Sequence, residues 1–432
     1  MLQAFGMAFK TPELRKKIFF TLAIMALFRF GSIVPTPGVN YTNVKECLND
    51  PGANGGLFGL INLFSGGALV QLSVFALGIM PYITSSIIIQ LLTVVIPRFE
   101  VLKKEGQSGQ AKLTQYTRYL TIGLGILQST GLIAVARSTG KLIPNCELPM
   151  LRSDSWQSIV VMILVMTAGT SVIMWLGELI TDRGVGNGMS ILIFTSIAAG
   201  FPGQLWAIKT QNGLAKFIFV MLMGVAIIAA VVFVEQAQRR IPVQYAKRMV
   251  GRQAYGGTST YIPIKVNQSG VIPVIFASSL LYIPSLIVNF SGSQAGWAVW
   301  INNNLVKGDH PIYIAMYSLL IVFFTYFYVA ITFNPDEVAD NMKQYGGFIP
   351  GIRAGKPTSE YLQYVLSRIT APGALYLALI AIIPIIALVL FQATQNFPFG
   401  GTAILIVVGV GLDTAKQIES QLQQRSYEGF LK

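Results

Sequence analysis

Long apolar stretches separated by short polar segments recur along the whole chain. A membrane-spanning helix needs roughly 20 mostly apolar residues, so each stretch of about that length predicts one span. The pattern predicts ten spans, of which the fifth and tenth are short: 17–34, 69–95, 117–136, 156–176, 188–203, 214–235, 270–290, 311–333, 370–392 and 400–413. A further apolar piece at 57–67 is long enough to reach only halfway through the hydrocarbon.

The composition agrees with this interpretation. Hydrophobic residues make up 53% of the 432 residues, charged residues only 11%, and the mean hydropathy is +0.60. So much apolar surface cannot be buried inside one soluble core, and the chain is predicted to lie in a bilayer. Arg15, Lys16 and Lys17 precede the first apolar run as in a secretory signal, but the run is too long and no small-residue cleavage site follows it. We therefore interpret it as the first span.

The distribution of lysine and arginine predicts the orientation of the chain. Most of the 31 basic residues lie in the tails and in alternate loops on one side, and the net charge is +13. The positive-inside rule makes that side, with both termini, cytoplasmic. Five spans precede a break near residue 205 and five follow it. An odd number per half predicts two pseudo-symmetric halves of opposite orientation, 1–205 and 206–432.

Residues that carry transport or catalytic chemistry are scarce in the predicted spans. The 18 acidic residues fall in loops, in tails or near span ends. This weighs against the main alternative, an ion-coupled secondary transporter with inverted repeats, because such transporters need buried ionisable groups. A membrane enzyme is a third alternative, but the single histidine, His310, lies in a loop, and the sequence has no metal-binding histidine pair. We predict neither a catalytic residue nor a cofactor.

Two features allow two interpretations each. Cys47 and Cys146 are the only cysteines, and they either pair with each other or remain thiols. Arg29 is the one basic residue inside a span. It either lines an aqueous cavity or extends its side chain towards the outer interface.

Several blocks of the sequence carry a resemblance to a known family. The blocks are SGGAL with the following SVFALGIMPYITSSIIIQLL, then KKEGQSGQAKLTQYTRY, WLGELITDRGVGNGMSILIF, QRRIPVQYAKR, VNQSGVIPVIFASS and FNPDEVADNMKQYGGFIPGIRAGKPT. They occur in order over nearly the whole chain, and together they closely resemble the bacterial SecY family. The resemblance implies an all-α polytopic protein with ten transmembrane helices in two inverted halves, located in the bacterial cytoplasmic membrane.

The same resemblance implies the function. Members of this family are the central subunit of the Sec protein-translocation channel. They pass unfolded secretory preproteins across the membrane and release hydrophobic segments laterally into the lipid. A partner, the SecA motor ATPase or a translating ribosome, supplies the energy, so the chain itself is expected not to be an enzyme.

The half-length segment would be the plug of such a channel, folded back into the outer funnel. Gly66 and Gly67 permit backbone angles that a continuous helix forbids, and a re-entrant segment is tolerated where protein or water covers it. A simple helix kink is the alternative interpretation from the residues alone. The plug and hinge residues implied by the resemblance are Leu57, Phe58, Leu60, Ile61, Asn62, Phe64, Ser65, Gly66 and Gly67.

The resemblance also implies a ring of aliphatic side chains around the pore. Its members would be Ile79, Ile83, Ile87, Ile193, Ile275 and Leu405. A narrow apolar constriction resists wetting and so blocks ions, while flexible aliphatic side chains can close around any peptide. For a single isoleucine, contact with lipid or with another helix remains the alternative. Polar residues on the second and seventh spans would form a lateral gate towards lipid: Thr84, Ser86, Gln90, Ser278 and Ser279.

Two cytoplasmic loops, 236–269 and 334–369, are long enough to bind partners. The resemblance implies that basic side chains in them contact SecA or the ribosome: Arg239, Arg240, Lys247, Arg248, Arg252, Arg353 and Lys356. Positive charge there also follows from the positive-inside rule, so it is weak support by itself. SecE would clamp the two halves, SecG would bind peripherally, and signal sequences and lipid would meet the gate. No small-molecule substrate is implied.

Overall fold

Helices make up most of the described chain. The computed structural model describes residues 9–48, 66–69, 71–137, 148–245, 248–250, 253–255, 259–291, 296–306, 310–391 and 401–428. The first helices are α1 (Pro12–Gly31), α2 (Tyr41–Leu48), α3 (Met80–Val95), α4 (Pro97–Lys104), α5 (Gln107–Arg137), α6 (Trp156–Arg183) and α7 (Gly188–Gln236). There follow β1 (Gln238–Tyr245), β2 (Arg248–Val250), β3 (Gln253–Tyr255), β4 (Ser259–Lys265), α8 (Ile272–Ser291), α9 (Gly296–Ile301), a π-helix (Asn302–Val306), α10 (Pro311–Thr332), α11 (Pro335–Gln344), β5 (Gly347–Phe348), α12 (Lys356–Phe391) and α13 (Gly401–Glu428).

Each of the ten predicted spans overlaps a helix. Among the described residues, four helical segments are long and apolar enough to cross a membrane, and the bent pair α3–α4 would make a fifth. Shorter apolar helices at Gly188–Gly203, Val220–Gln236 and Ile272–Leu281 lie within α7 and α8. These helices agree with a multi-pass membrane protein, while the number of ten spans stays a prediction.

The second predicted span is helical only in its later part. Residues 71–79 form turns, and α3 begins at Met80. Pro81 accounts for this start, because proline suits the first turn of a helix but breaks the hydrogen bonding of a helix interior. At the other end of α3, extended backbone at Ile96 precedes Pro97, and the chain bends by 101° into α4.

The long helix α7 contains a break at Gly213. This glycine has φ 79° and ψ 171°, whereas the backbone around it is helical. The predicted span 214–235 begins directly after it. The half boundary predicted near residue 205 therefore falls within helical backbone, and the observed break comes later in the chain.

The two long loops predicted to be cytoplasmic share one small sheet. Strand β1 pairs antiparallel with β4 over its whole length, and its last residues, Gln244 and Tyr245, pair with Phe348 and Gly347 of β5. The strand order is β4-β1-β5, so the first loop supplies two strands and the second supplies one. Strands β2 and β3 form a separate antiparallel pair. The hydropathy pattern does not predict these strands.

This sheet packs on helices through its own apolar core. Ile241 and Val243 of β1 and Ile264 of β4 are buried against α11 and against Leu362 near the start of α12. The Ser359 hydroxyl also donates a hydrogen bond to Asp336, which joins α12 to α11. We call β1, β4, β5, α11 and the first turns of α12 the cytoplasmic platform, after the side on which the positive-inside rule predicts these loops.

Helix α2, in the first predicted half, packs against the segment that precedes α6. The Asn40 amide donates to the Met150 carbonyl (2.8 Å), and the Asn43 side chain donates to the Pro149 carbonyl (2.9 Å). Cys47 of α2 is buried here and is disulfide-bonded. For Cys47 the structure therefore favours a bond over a free thiol; Cys146, the only other cysteine, lies outside the described residues.

Candidate functional site

One apolar cluster draws buried side chains from both predicted halves of the molecule. Its buried members come from α1, α3, α6 and α7 on one side and from α8 and α13 on the other. Four of the six predicted ring residues belong to it or pack against it: Ile79, Ile83, Ile193 and Ile275. Ile79 is only 2% exposed and Ile275 only 8%. We call this group the central cluster.

The other two predicted ring residues lie in a neighbouring cluster. Leu405 is buried with Ile404 and Val408 among residues of α8, α10 and α12, and Ile87 packs against the same group. The residues of α13 that lie in the central cluster are Ala403 and Ile406. Successive residues of a helix point about 100° apart, so adjacent residues of α13 pack in different clusters. Hydropathy offers no signal for this choice, because positions 403–408 are all apolar.

A cavity with polar residues in its lining lies beside the central cluster, between the two halves. It has a volume of about 480 Å³ and opens between the loop before α7, the start of α8, and α13. Asn187, Ser190, Thr414 and Gln417 line it together with Ile272. The positive-inside rule puts this loop and the end of α13 on the cytoplasmic side. The cavity thus lies at the predicted cytoplasmic end of the apolar barrier.

The predicted hinge is described only at its two glycines. Gly66 has φ +65° and Gly67 has φ +91°, both in the left-handed region that favours glycine. The Gly66 carbonyl accepts a hydrogen bond from Arg29 Nη1. The remaining predicted plug and hinge residues lie outside the described residues: Leu57, Phe58, Leu60, Ile61, Asn62, Phe64 and Ser65.

The predicted gate helices, α3 and α8, contact each other. The Thr84 hydroxyl donates to the Met80 carbonyl (2.9 Å), and the Ser278 hydroxyl donates to the Ile275 carbonyl (2.9 Å). Both hydroxyls therefore bond within their own helices rather than across the contact. Among the described residues Ser279 Oγ is buried without a hydrogen-bond partner; Ser86 is half-buried and Gln90 is exposed.

Comparison with known proteins identifies the family. A family model described as SecY matches residues 73–415. The protein translocase subunit SecY of Streptomyces griseus is 68% identical over 439 residues, which cover 100% of both chains. This chain belongs to the SecY family.

Solved structures establish the SecY fold independently. A structure reported for the plug domain of SecY superposes with a TM-score of 0.61 at 19% identity and covers 94% of this chain and 91% of that chain. Sec61 in a canine ribosome–channel complex gives a TM-score of 0.60 at 16% identity, with the same coverage. The fold class predicted from the sequence is confirmed: the chain is a helical, multi-pass membrane protein of the SecY/Sec61 type.

Most of the basic residues predicted to bind partners, as far as the structure describes them, lie on or next to the cytoplasmic platform. Arg239 and Arg240 are exposed on β1, and Arg240 lies over the Tyr261 ring of β4 at 4.8 Å. Arg353 and Lys356 are exposed at the start of α12. Arg248 lies in β2, while Lys247 and Arg252 are outside the described residues. Because β1 pairs with β5, the two predicted docking loops present one surface rather than two.

Proposed function

We propose that this chain is the protein-conducting subunit of a translocation channel. It would pass unfolded secretory preproteins across the cytoplasmic membrane and release hydrophobic segments laterally into the lipid. The observation that supports this best is the central cluster, in which aliphatic side chains from both halves meet beside a cavity lined partly by polar residues. Membership of the SecY family and the SecY/Sec61 fold support the same function.

The central cluster would work as a hydrophobic barrier. Water enters a narrow apolar passage reluctantly, so ions cannot cross when the passage is empty. The side chains of Ile79, Ile83, Ile193 and Ile275 have no hydrogen-bonding groups, so a peptide of any sequence could slide past them. Ile87 and Leu405 would border this constriction from the neighbouring cluster rather than form its centre.

Opening would separate the halves 1–205 and 206–432. The central cluster holds them together by apolar contacts, which have no preferred direction and can re-form after a chain has passed. The segment from Leu57 to Gly67 would act as the plug on the outer side, with Gly66 and Gly67 as its hinge. The relative for which a plug domain is reported supports this assignment.

The lateral gate would open between α3 and α8. The hydroxyls of Thr84 and Ser278 already bond to their own backbones, so separating the two helices leaves these groups satisfied. A sufficiently apolar signal sequence could then replace the helix contact. Ser86, Gln90 and Ser279 would line the same passage between polypeptide and lipid.

The cytoplasmic platform would bind the partner that drives translocation. The basic residues Arg239, Arg240, Lys247, Arg248, Arg252, Arg353 and Lys356 suit acidic protein surfaces and ribosomal RNA. The Sec61 relative was solved with a ribosome, and the SecA motor ATPase is the other partner expected. SecE and SecG would complete the complex. The chain itself would carry out no catalysis and need no cofactor.

Reconstitution tests this function. We expect liposomes that contain the chain with SecE and SecG to import an unfolded preprotein when SecA and ATP are added. Ile83→Gly should make these liposomes leaky to small ions while part of the import persists. Ile126→Gly, at an exposed position of α5, is the matched control, and liposomes with this variant should leak no more ions than those with the wild type.

The same assay separates the competing functions. Flux of a small solute driven by an ion gradient, with no preprotein import, would support a secondary transporter instead. If Ile83→Gly and Ile126→Gly conduct ions equally little, the central cluster is not the barrier.

A further inference from the structure

Arg29 makes a contact inside the molecule. It is half-buried near the end of α1, and its Nη1 donates to the carbonyl of Gly66, which is itself buried. The guanidinium is a cationic hydrogen-bond donor. Within the described residues no carboxylate lies within 4 Å of it, so this carbonyl is the partner that the structure provides.

The backbone around Arg29 is held in place by close packing. The adjacent Phe28 stacks on Phe75, with ring centroids 5.9 Å apart and planes at 17°. A methyl group at Gly31 would overlap the Phe75 ring at 2.2 Å, and the Val74 amide donates to the Val34 carbonyl at 2.9 Å. The end of α1 and the turns before α3 are therefore packed as one unit. Arg29 can reach Gly66 without much further loss of entropy.

Gly66 is confined from two sides. A Cβ atom built on it would lie 3.2 Å from Arg29 Nη1 and 3.2 Å from both Cα and the carbonyl oxygen of Ser196. Ser196 is buried in α7 between Ile193 and Ile197, two members of the central cluster. The contact thus brings together α1, the turn at Gly66 and the pore-side surface of α7. A Cβ on Gly67 would meet nothing within 4 Å.

We propose that Arg29 is a positioning residue that sets the resting conformation of the Gly66–Gly67 turn and thereby keeps the empty channel closed. This inference rests on the proposed function and adds a named residue to it. A hydrogen bond from a charged donor is stronger than one between neutral groups, and the buried carbonyl loses its partner if the turn rotates. Arg29 would therefore bias the channel towards the closed state only while no polypeptide occupies it.

Resting ion conductance of the reconstituted complex in planar bilayers tests this proposal. We expect Arg29→Met to raise it about tenfold, equivalent to about 1.4 kcal/mol. Arg29→Gln keeps an N–H donor and should recover part of the closure. Conductance with a trapped preprotein should be the same in all variants.

Arg137→Met is the matched control, because Arg137 ends α5 on the same predicted outer side and is exposed beside Asp154. This variant should have the same resting conductance as the wild type.

A pair of glycine variants separates the contact from backbone strain. Gly66→Ala and Gly67→Ala both place a side chain at positive φ, but only the first crowds Arg29 and Ser196. We expect Gly66→Ala to raise resting conductance well above Gly67→Ala. Equal values for the two would overturn the proposal.

Further outcomes are also decisive. If Arg29→Met stays closed while Ile83→Gly leaks, the role of Arg29 is wrong and the proposed function stands. If Arg29→Gln and Arg29→Met leak alike, and both lower the melting temperature of the complex, Arg29 acts only on stability and the proposal fails. If none of the variants, Ile83→Gly included, conducts above the wild type, both the barrier assignment and the role of Arg29 are wrong. The proposed function itself fails if the wild-type complex imports no preprotein.

Discussion

The central cluster and the cytoplasmic platform are held together in different ways. In the central cluster six helices meet largely through aliphatic side chains, and beside it the predicted gate residues Thr84 and Ser278 bond within their own helices. In the platform a regular strand ladder fixes β1 between β4 and β5, and Ser359 is hydrogen-bonded to Asp336. Apolar contacts are non-directional, whereas hydrogen-bonded ladders impose a register. The contacts of the central cluster can therefore separate and form again, whereas those of the platform hold it in one shape.

This difference predicts that the two regions respond to mutation in different measurements. A change in the central cluster should alter ion conductance and leave partner binding intact. A change in the platform should alter binding or local stability and leave the membrane seal intact.

The largest effect is expected for a charge in the central cluster. Ile79→Glu would put a carboxylate where the native side chain is 2% exposed, and burying an unpaired charge costs several kcal/mol. We expect either loss of the assembled complex or a permanently hydrated, conducting channel, measured by yield and by bilayer conductance. Val95→Glu, 75% exposed at the other end of α3, should assemble and stay closed. A closed, fully assembled Ile79→Glu channel would contradict a dry barrier at this position.

The second effect concerns the core of the platform. Leu362 of α12 is fully buried against the sheet, so Leu362→Ala should destabilise the platform by about 2–5 kcal/mol. Limited proteolysis should then cut the two cytoplasmic loops faster, while resting conductance stays at the wild-type value. Leu375→Ala, at an exposed position of the same helix, provides the comparison. Equal proteolysis of the two variants would show that the platform is not one packed unit.

The third effect concerns binding. Arg353→Glu reverses a charge at an exposed position beside α12 and should weaken binding of SecA or the ribosome about tenfold, because like charges then face the partner. The loss should shrink as the salt concentration rises. Co-sedimentation at two ionic strengths measures both. Arg152→Glu, exposed on the predicted outer side, should bind as tightly as the wild type.

The smallest effect is expected for a single surface contact. Arg240→Gln removes the cation–π contact with Tyr261, which is worth about 0.5–1 kcal/mol at an exposed site. The melting temperature of the platform should fall slightly further than in Arg239→Gln, its neighbour on β1. A fall as large as that of Leu362→Ala would mean that surface contacts, rather than the buried core, hold the platform together.

Hydropathy alone predicted a helix in each of the ten apolar stretches, because the bilayer imposes one physical requirement along each span. It did not predict the shorter helices α2, α4, α9 and α11. It could not predict where a helix starts within an apolar run: α3 begins at Met80 because of Pro81, and not at residue 69. Hydropathy also could not predict which of Leu405 and Ile406 lies in the central cluster. Both are buried and aliphatic, and only packing against neighbouring helices decides which one faces the central cluster.

The loops show a different limit. Strand β1 contains alternating buried positions at Ile241 and Val243, but a run this short lies between charged residues and gives a weak signal. Its pairing with β5 depends on contacts between residues distant in sequence, which no local pattern reveals. Arg29 is similar: the sequence marks it as unusual, and its partner, Gly66, becomes known only from the fold.

The position of β1 has a mechanical consequence. It begins almost directly where α7 ends, it is flanked by β4, which leads into α8, and the core beneath it includes Val329 of α10 and Leu362 of α12. A partner that pushes or twists this sheet would therefore move the part of α7 after Gly213 together with α8, α10 and α12, all of which lie in the predicted half 206–432. The predicted half 1–205 contributes no strand to this sheet and could stay in place while the other half moves.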